Sequence, residues 1–250
     1  TKHNVTILER KSKAIFSFLI NRFIEKVITV SNFEKYNLLN LGVKEKKVKT
    51  IYNGVDLEQF KFEDKIFNSK DEYKIGILAR LSPEKNHSLF LKIANLLKGS
   101  PNIKFYIAGD GPEKESIIKT IEEFNISNSV ELLGNVGNPD RFLKDIHVLL
   151  VTSYREVFPM SVIESMAIGT PIVSIDVGGI NEAIENGING FLIPDYLPDR
   201  FVEKINCLLS NEEIRNRFIT MSRNKVEREF SLNKMISSIE NEYSSILVKE

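Results

Sequence analysis

The stretch VLLVTSYREVFPMSVIESMAIGTPIVSI, residues 148–175, decides the fold. It begins and ends with short apolar runs rich in β-branched residues, Val148–Thr152 and Pro171–Ile175, which read as buried strands. Between them, Pro159–Ile168 reads as a helix. Pro159 suits a first turn because it has no N–H to lose there. Gly169 permits the left-handed stop that ends many helices, and Pro171 opens the next strand. Two strands joined through a helix run parallel. Working outward, the same alternation recurs. Strand-like runs at Tyr73–Ala79, Ile103–Ala108, Val130–Leu133 and Gly190–Ile193 are separated by helical patterns at His87–Lys98, Glu113–Phe124, Asp140–Asp145 and Asn181–Glu185. The prediction is an α/β fold, a doubly wound parallel sheet covered on both faces, with ligands at the carboxyl ends of its strands.

The flanks differ. After Pro194 apolar residues fall at helical spacing, at Phe201, Ile205, Leu208 and Leu209 and again at Met235, Ile239, Tyr243 and Leu247. Near the start, Ile15, Phe18, Leu19 and Phe23 form a helical stripe ahead of the strand-like Val27–Val30, and Lys47–Gly54 leads into the main domain. This first part is too small to be a domain. The chain therefore divides into a remnant of an N-terminal domain with its connection (1–55), a central Rossmann-like domain (56–230) and a closing helix that returns towards the first part (231–250). The stripe is expected to pack against a missing neighbour, with membrane contact through the basic Lys11–Lys26 segment as the competing reading. A chain that starts at Thr1 rather than methionine reads as a mature form or a fragment.

Composition excludes several classes. With 42% hydrophobic and 27% charged residues the chain can bury a core, and 34 basic against 34 acidic residues point to no nucleic-acid partner. Residues 1–50 carry a local basic excess, compatible with an anionic surface. Cys207 is the single cysteine, which rules out an internal disulfide framework and a Cys/His zinc site. No apolar run approaches the roughly 20 residues of a membrane span, and the start lacks a signal-peptide pattern. The chain reads as cytoplasmic.

The chemistry gathers at predicted strand ends. Glu156 and Glu164 flank Val157, Phe158, Pro159, Met160 and Ser161 where a strand feeds a helix. At a helical rise of about 1.5 Å per residue the two carboxylates lie roughly 12 Å apart, enough to hold two ends of one elongated ligand. The N–H groups from Phe158 to Ser161 then face an anion between them. At the end of the first strand of the main domain, the segment Leu78–Asn86 offers Arg80 as a planar fork of donors and Lys85 as a point charge, suited to neutralising a diphosphate. Gly109 and Gly111 sit in a strand-end turn, and Val136 lies in the loop Leu133–Gly137.

Together these elements resemble the retaining glycosyltransferases of family four, which have the GT-B fold. The shared features are the E-x7-E element, the Asp176–Glu182 loop with Gly178 and Gly179, the Arg80–Lys85 phosphate loop, and the Asn53-Gly54-Val55-Asp56 connection followed by Phe60. The resemblance runs from about residue 3 and implies a Rossmann-like donor domain preceded by an incomplete acceptor domain. It implies transfer of a sugar, with retention, from a UDP-sugar or GDP-sugar to a glycan or lipid-linked acceptor, without a metal or other cofactor. Arg80 and Lys85 would hold the diphosphate, Glu164 the ribose, and Glu156 with the Phe158–Ser161 amides the sugar. Gly109, Gly111 and Val136 would border the donor, and Gly178 and Gly179 would line its loop. His3 resembles a histidine of the acceptor domain near the sugar. Glu156, Arg80 and Lys85 carry the catalytic assignment. The pattern departs from the family at Ala79, where glycine is usual, at Val157, where a small residue is usual, and at Ser165 in place of alanine. Polysaccharide assembly is the setting implied, in the cytoplasm or peripheral to the inner face of the membrane, with a missing domain or partner subunit. The alternative is a nucleotide-sugar-binding or regulatory subunit without activity of its own. An epimerase or phosphorylase of the same fold explains the E-x7-E element less well.

Overall fold

The computed structural model describes residues 12–63, 67 and 72–247. The first unit runs α1 (Lys13–Phe23), β1 (Val27–Thr29), α2 (Asn32–Asn40) and β2 (Val48–Thr50). The main domain follows with β3 (Tyr73–Leu78), α3 (His87–Leu96), β4 (Ile103–Ala108), α4 (Lys114–Glu123), β5 (Val130–Gly134) and α5 (Pro139–Asp145). It continues with β6 (Val148–Val151), α6 (Met160–Ile168), β7 (Ile172–Ile175), α7 (Ile180–Ala183) and β8 (Phe191–Ile193). Three helices close the chain, α8 (Pro198–Ser210), α9 (Glu212–Glu229) and α10 (Leu232–Leu247). Each strand anticipated in the main domain is present, shifted by at most a residue or two at its ends.

Six strands form one parallel sheet in the order β5-β4-β3-β6-β7-β8. The order reverses between β3 and β6, so a crevice opens beyond their carboxyl ends. Burial follows from having helices on both faces. All four residues of β6 are buried, Val148 and Leu150 in one core cluster and Leu149 and Val151 in the other. Helix α3 packs with α8 on one side, and α6 with α9 on the other. Gly76 in the middle of β3 has a packing reason, since a Cβ there would press within 2.8 Å of Ile146 and Phe142.

The first unit pairs β1 with β2 in parallel over a small cluster of Phe16, Leu38, Val43 and Val48. Helix α1 forms as expected, and its stripe, expected to be covered by a missing neighbour, points outward. Ile15, Phe18, Leu19 and Phe23 are exposed, whereas Phe16 is buried. The chain passes between the two units twice at one place. Val55 N–H donates to the Phe230 carbonyl (2.8 Å), and Leu232 N–H to the Val55 carbonyl (2.9 Å). Helix α10 then runs back over the first unit, where Glu242 approaches Lys26 (3.7 Å) and Lys49 (3.6 Å). No helix among the described residues is long and apolar enough to cross a membrane.

Candidate active site

Beyond β3 and β6 lies a cleft of about 750 Å³, bounded by the first unit through Val30, Phe33 and Asn53 and by the main domain through Lys85, Glu156 and Met160. Lys85 closes the short turn Pro83–Lys85 after β3, and Glu156 sits in the segment between β6 and α6. Two hydrogen bonds to backbone carbonyls tie these segments together: Thr152 Oγ1 donates to the Lys85 carbonyl (3.0 Å) and Tyr154 N–H to the Glu84 carbonyl (2.8 Å). Their side chains meet directly. Lys85 Nζ lies 2.7 Å from Glu156 Oε1, and Ser153 Oγ donates to the same oxygen at 2.6 Å. The cation expected on a diphosphate and the carboxylate expected on a sugar are thus partners of each other.

Only part of the Glu156–Glu164 separation is helical, which corrects the expected helical span. Helix α6 begins at Met160, with Pro159 as its N-cap residue and no side-chain cap, so Glu156 precedes it on extended and turning backbone. The first-turn amides of Met160 and Ser161 lie at the positive end of this helix, beside the cleft. Glu164 stands one turn further on, half-buried, and lines neither cavity described here; burial pushes its carboxyl up to about 7. Phe158 borders the cleft, and the expectation for it concerns its backbone N–H rather than its ring. Its ring is buried against Tyr52 and Phe230, at centroid distances of 5.1 and 5.2 Å, and its carbonyl accepts from Asn53 Nδ2 (3.4 Å).

Arg80 is exposed and borders a separate depression of about 400 Å³ with Gly109, Asn135 and Val136. The glycines act from beneath. A Cβ on Gly109 would overlap the Ala79 carbonyl oxygen and one on Gly111 that of Leu81, so this turn supports the backbone on either side of Arg80. Gly178 (φ +62°) and Gly179 do the same for the acidic segment, lying against the carbonyls of Glu156 and Val157. Val157 itself lines the cleft, and Ser165 donates to the Thr170 carbonyl (2.9 Å), fixing the turn after α6. His3 lies outside the described residues.

Two residues carry more than their sequence signals indicate. Ser153 has no motif around it, yet it anchors Glu156. Glu182, the last residue of the Asp176–Glu182 loop, accepts the N–H groups of Asn32 and Phe33 at 2.7 Å each and the Tyr52 hydroxyl at 2.8 Å. It thereby holds the N-terminus of α2 at the edge of the cleft.

A doubly wound sheet whose strand-end cleft faces a second, partial α/β unit is the arrangement of GT-B proteins. Residues 58–225 match the model of the group 1 glycosyl transferases and residues 1–59 that of glycosyltransferase family 4, and the chain belongs to this family. It is 28% identical over 230 residues to a poly(ribitol-phosphate) alpha-N-acetylglucosaminyltransferase of Staphylococcus aureus, covering 91% of this chain and 41% of that protein. It is also 28% identical over 260 residues to an N-acetyl-alpha-D-glucosaminyl L-malate synthase of Bacillus anthracis, covering 99% of this chain and 67% of that one. The fold superposes on Anabaena HepE in complex with UDP and glucose with a TM-score of 0.86 at 23% identity, over 98% of this chain and 70% of HepE. The chain thus spans about two fifths to two thirds of the length of the two sequence relatives.

Proposed function

We propose that the chain is the donor-binding part, with the adjoining edge of the acceptor part, of a retaining glycosyltransferase that uses a nucleotide sugar and no metal. The observation that carries this reading is the cleft itself. Lys85, Glu156 and the uncapped start of α6 converge where the sheet order reverses, and Arg80 stands at the neighbouring depression. HepE, on which the fold superposes, supports the reading, since it is in complex with UDP and glucose.

In this reading the base side of the donor lies towards Val136, Glu164 accepts from the ribose hydroxyls, and Lys85, Arg80 and the α6 amides receive the diphosphate. Glu156 orients the sugar. The acceptor oxygen attacks the anomeric carbon on the face that the diphosphate leaves. The C–O bond to the distal phosphate breaks, and a departing phosphate oxygen takes the acceptor's hydroxyl proton, so configuration is retained. Lys85 and Arg80 act most strongly at the transition state, when charge builds on the leaving oxygens. A glycan or lipid-linked acceptor enters from the side of Phe33 and Asn53.

The division of labour between the carboxylates is testable. Glu164→Ala raises the Kd for the nucleotide by about tenfold or more, because the ribose loses its partner. Glu156→Ala binds the nucleotide no more weakly and, in a complete enzyme, lowers turnover by roughly a hundredfold. Equal loss of nucleotide binding in both variants contradicts the assignment.

A further inference from the structure

We propose that Glu156 is also the internal counter-anion of the diphosphate subsite, held on Lys85 until a nucleoside diphosphate displaces it. The inference rests on the donor-binding reading above and adds a control to it. Lys85 Nζ and Ser153 Oγ both contact Glu156 Oε1, at 2.7 and 2.6 Å, so the lysine charge already has an anionic partner within the protein. The Lys85 side chain is 23% exposed and that of Glu156 9%, so the pair is partly shielded yet opens on the cleft.

The surrounding backbone is tied. The Lys85 and Glu84 carbonyls are bonded to Thr152 and Tyr154, and Gly178 and Gly179 lie against Glu156 and Val157. Exchange of partners therefore needs only side-chain rotation, which the flexible lysine stem permits. Ser153 is buried and remains bonded to Glu156 when Lys85 leaves. Once the diphosphate has taken the lysine, the released carboxylate is free to turn Oε1 as well as Oε2 towards sugar hydroxyls. Such a contact lowers the measured nucleotide affinity by the cost of parting the pair, and it couples seating of the diphosphate to readiness of Glu156.

The test is calorimetric titration of UDP into the chain and four variants, each first shown to unfold cooperatively. Glu156→Gln is expected to bind UDP roughly tenfold tighter than wild type, on the scale of a partly buried ion pair given up. Glu156→Asp, whose shorter carboxylate falls short of Lys85, tightens binding in the same direction while keeping its charge. On a Lys85→Met background, adding Glu156→Gln changes the affinity by less than about twofold, because no pair remains to part. Unchanged or weaker binding by Glu156→Gln overturns the inference. So does equal tightening with and without Lys85, which assigns the effect to plain repulsion between carboxylate and diphosphate. If wild type binds none of UDP, GDP and ADP, the donor-site reading itself fails, a different outcome from binding without the expected tightening.

Discussion

Burial pushes the Glu164 carboxyl from the usual 4.5 up to about 7, so the folded protein holds that proton more tightly than the unfolded chain. Its contribution to stability is full below about 4.5 and is lost as the pH rises through about 7. Glu164→Gln removes this loss and makes the ligand-free protein about 2 kcal/mol more stable than wild type at pH 8, with little difference at pH 4, by denaturant unfolding. The same shift predicts that wild-type affinity for a nucleoside diphosphate gains more from pH 6 to 8 than that of Glu164→Gln, since ribose hydroxyls donate to the ionised form. Gly178 supplies a second prediction at this scale. Its φ of +62° and its contact with the Glu156 carbonyl leave no room for a methyl group, and Gly178→Ala costs at least about 2 kcal/mol in unfolding free energy. The two glutamates stood out as candidates by their setting between a strand and a helix rather than by their spacing alone, and Arg80 and Lys85 by their place after a strand. The Lys85–Glu156 bond joins residues 71 apart in the chain, and no local pattern encodes it. Ser153 was invisible for the same reason, as one hydroxyl after a strand has no period and no motif.

At the scale of elements, α2 illustrates a helix whose start is held from outside. Ser31 caps it locally, its hydroxyl accepting from Glu34 N–H at 3.2 Å, and Glu182 takes the two preceding amides. A carboxylate at a helix N-terminus meets both the unsatisfied donors and the positive end of the dipole. Glu182→Ala is expected to cost about 1–2 kcal/mol and to speed amide hydrogen exchange at Asn32 and Phe33, while exchange in β3 and β6 stays unchanged. The strands were legible because parallel strands buried on both faces read as unbroken apolar runs, as in β6. The α1 stripe shows what periodicity leaves out. Its pattern correctly marks a helix, but Phe16, outside the stripe, is the residue the small cluster buries. Periodicity reports that a face is apolar and cannot report which neighbour covers it.

The molecule as a whole places two units around one cleft, joined where Val55 crosses Phe230 and Leu232 and clasped by α10. Its doubly wound architecture and the order of its motifs along the chain were readable, because each βα unit declares itself locally. A closing helix returning towards the first part was anticipated, but the contacts that pair the units were not, because those such as Asn53 to the Phe158 carbonyl join segments far apart in sequence. The proposed function requires that the cleft bind a nucleoside diphosphate. The most direct measurement is thermal unfolding of the chain with and without UDP, GDP and ADP at millimolar concentration. At 100 times its Kd a ligand stabilises the folded state by about 2.7 kcal/mol, a shift of several degrees for a domain of this size. The expected result is selective stabilisation by one nucleotide, lost in Glu164→Ala. A cooperative transition that no nucleotide moves contradicts the claim.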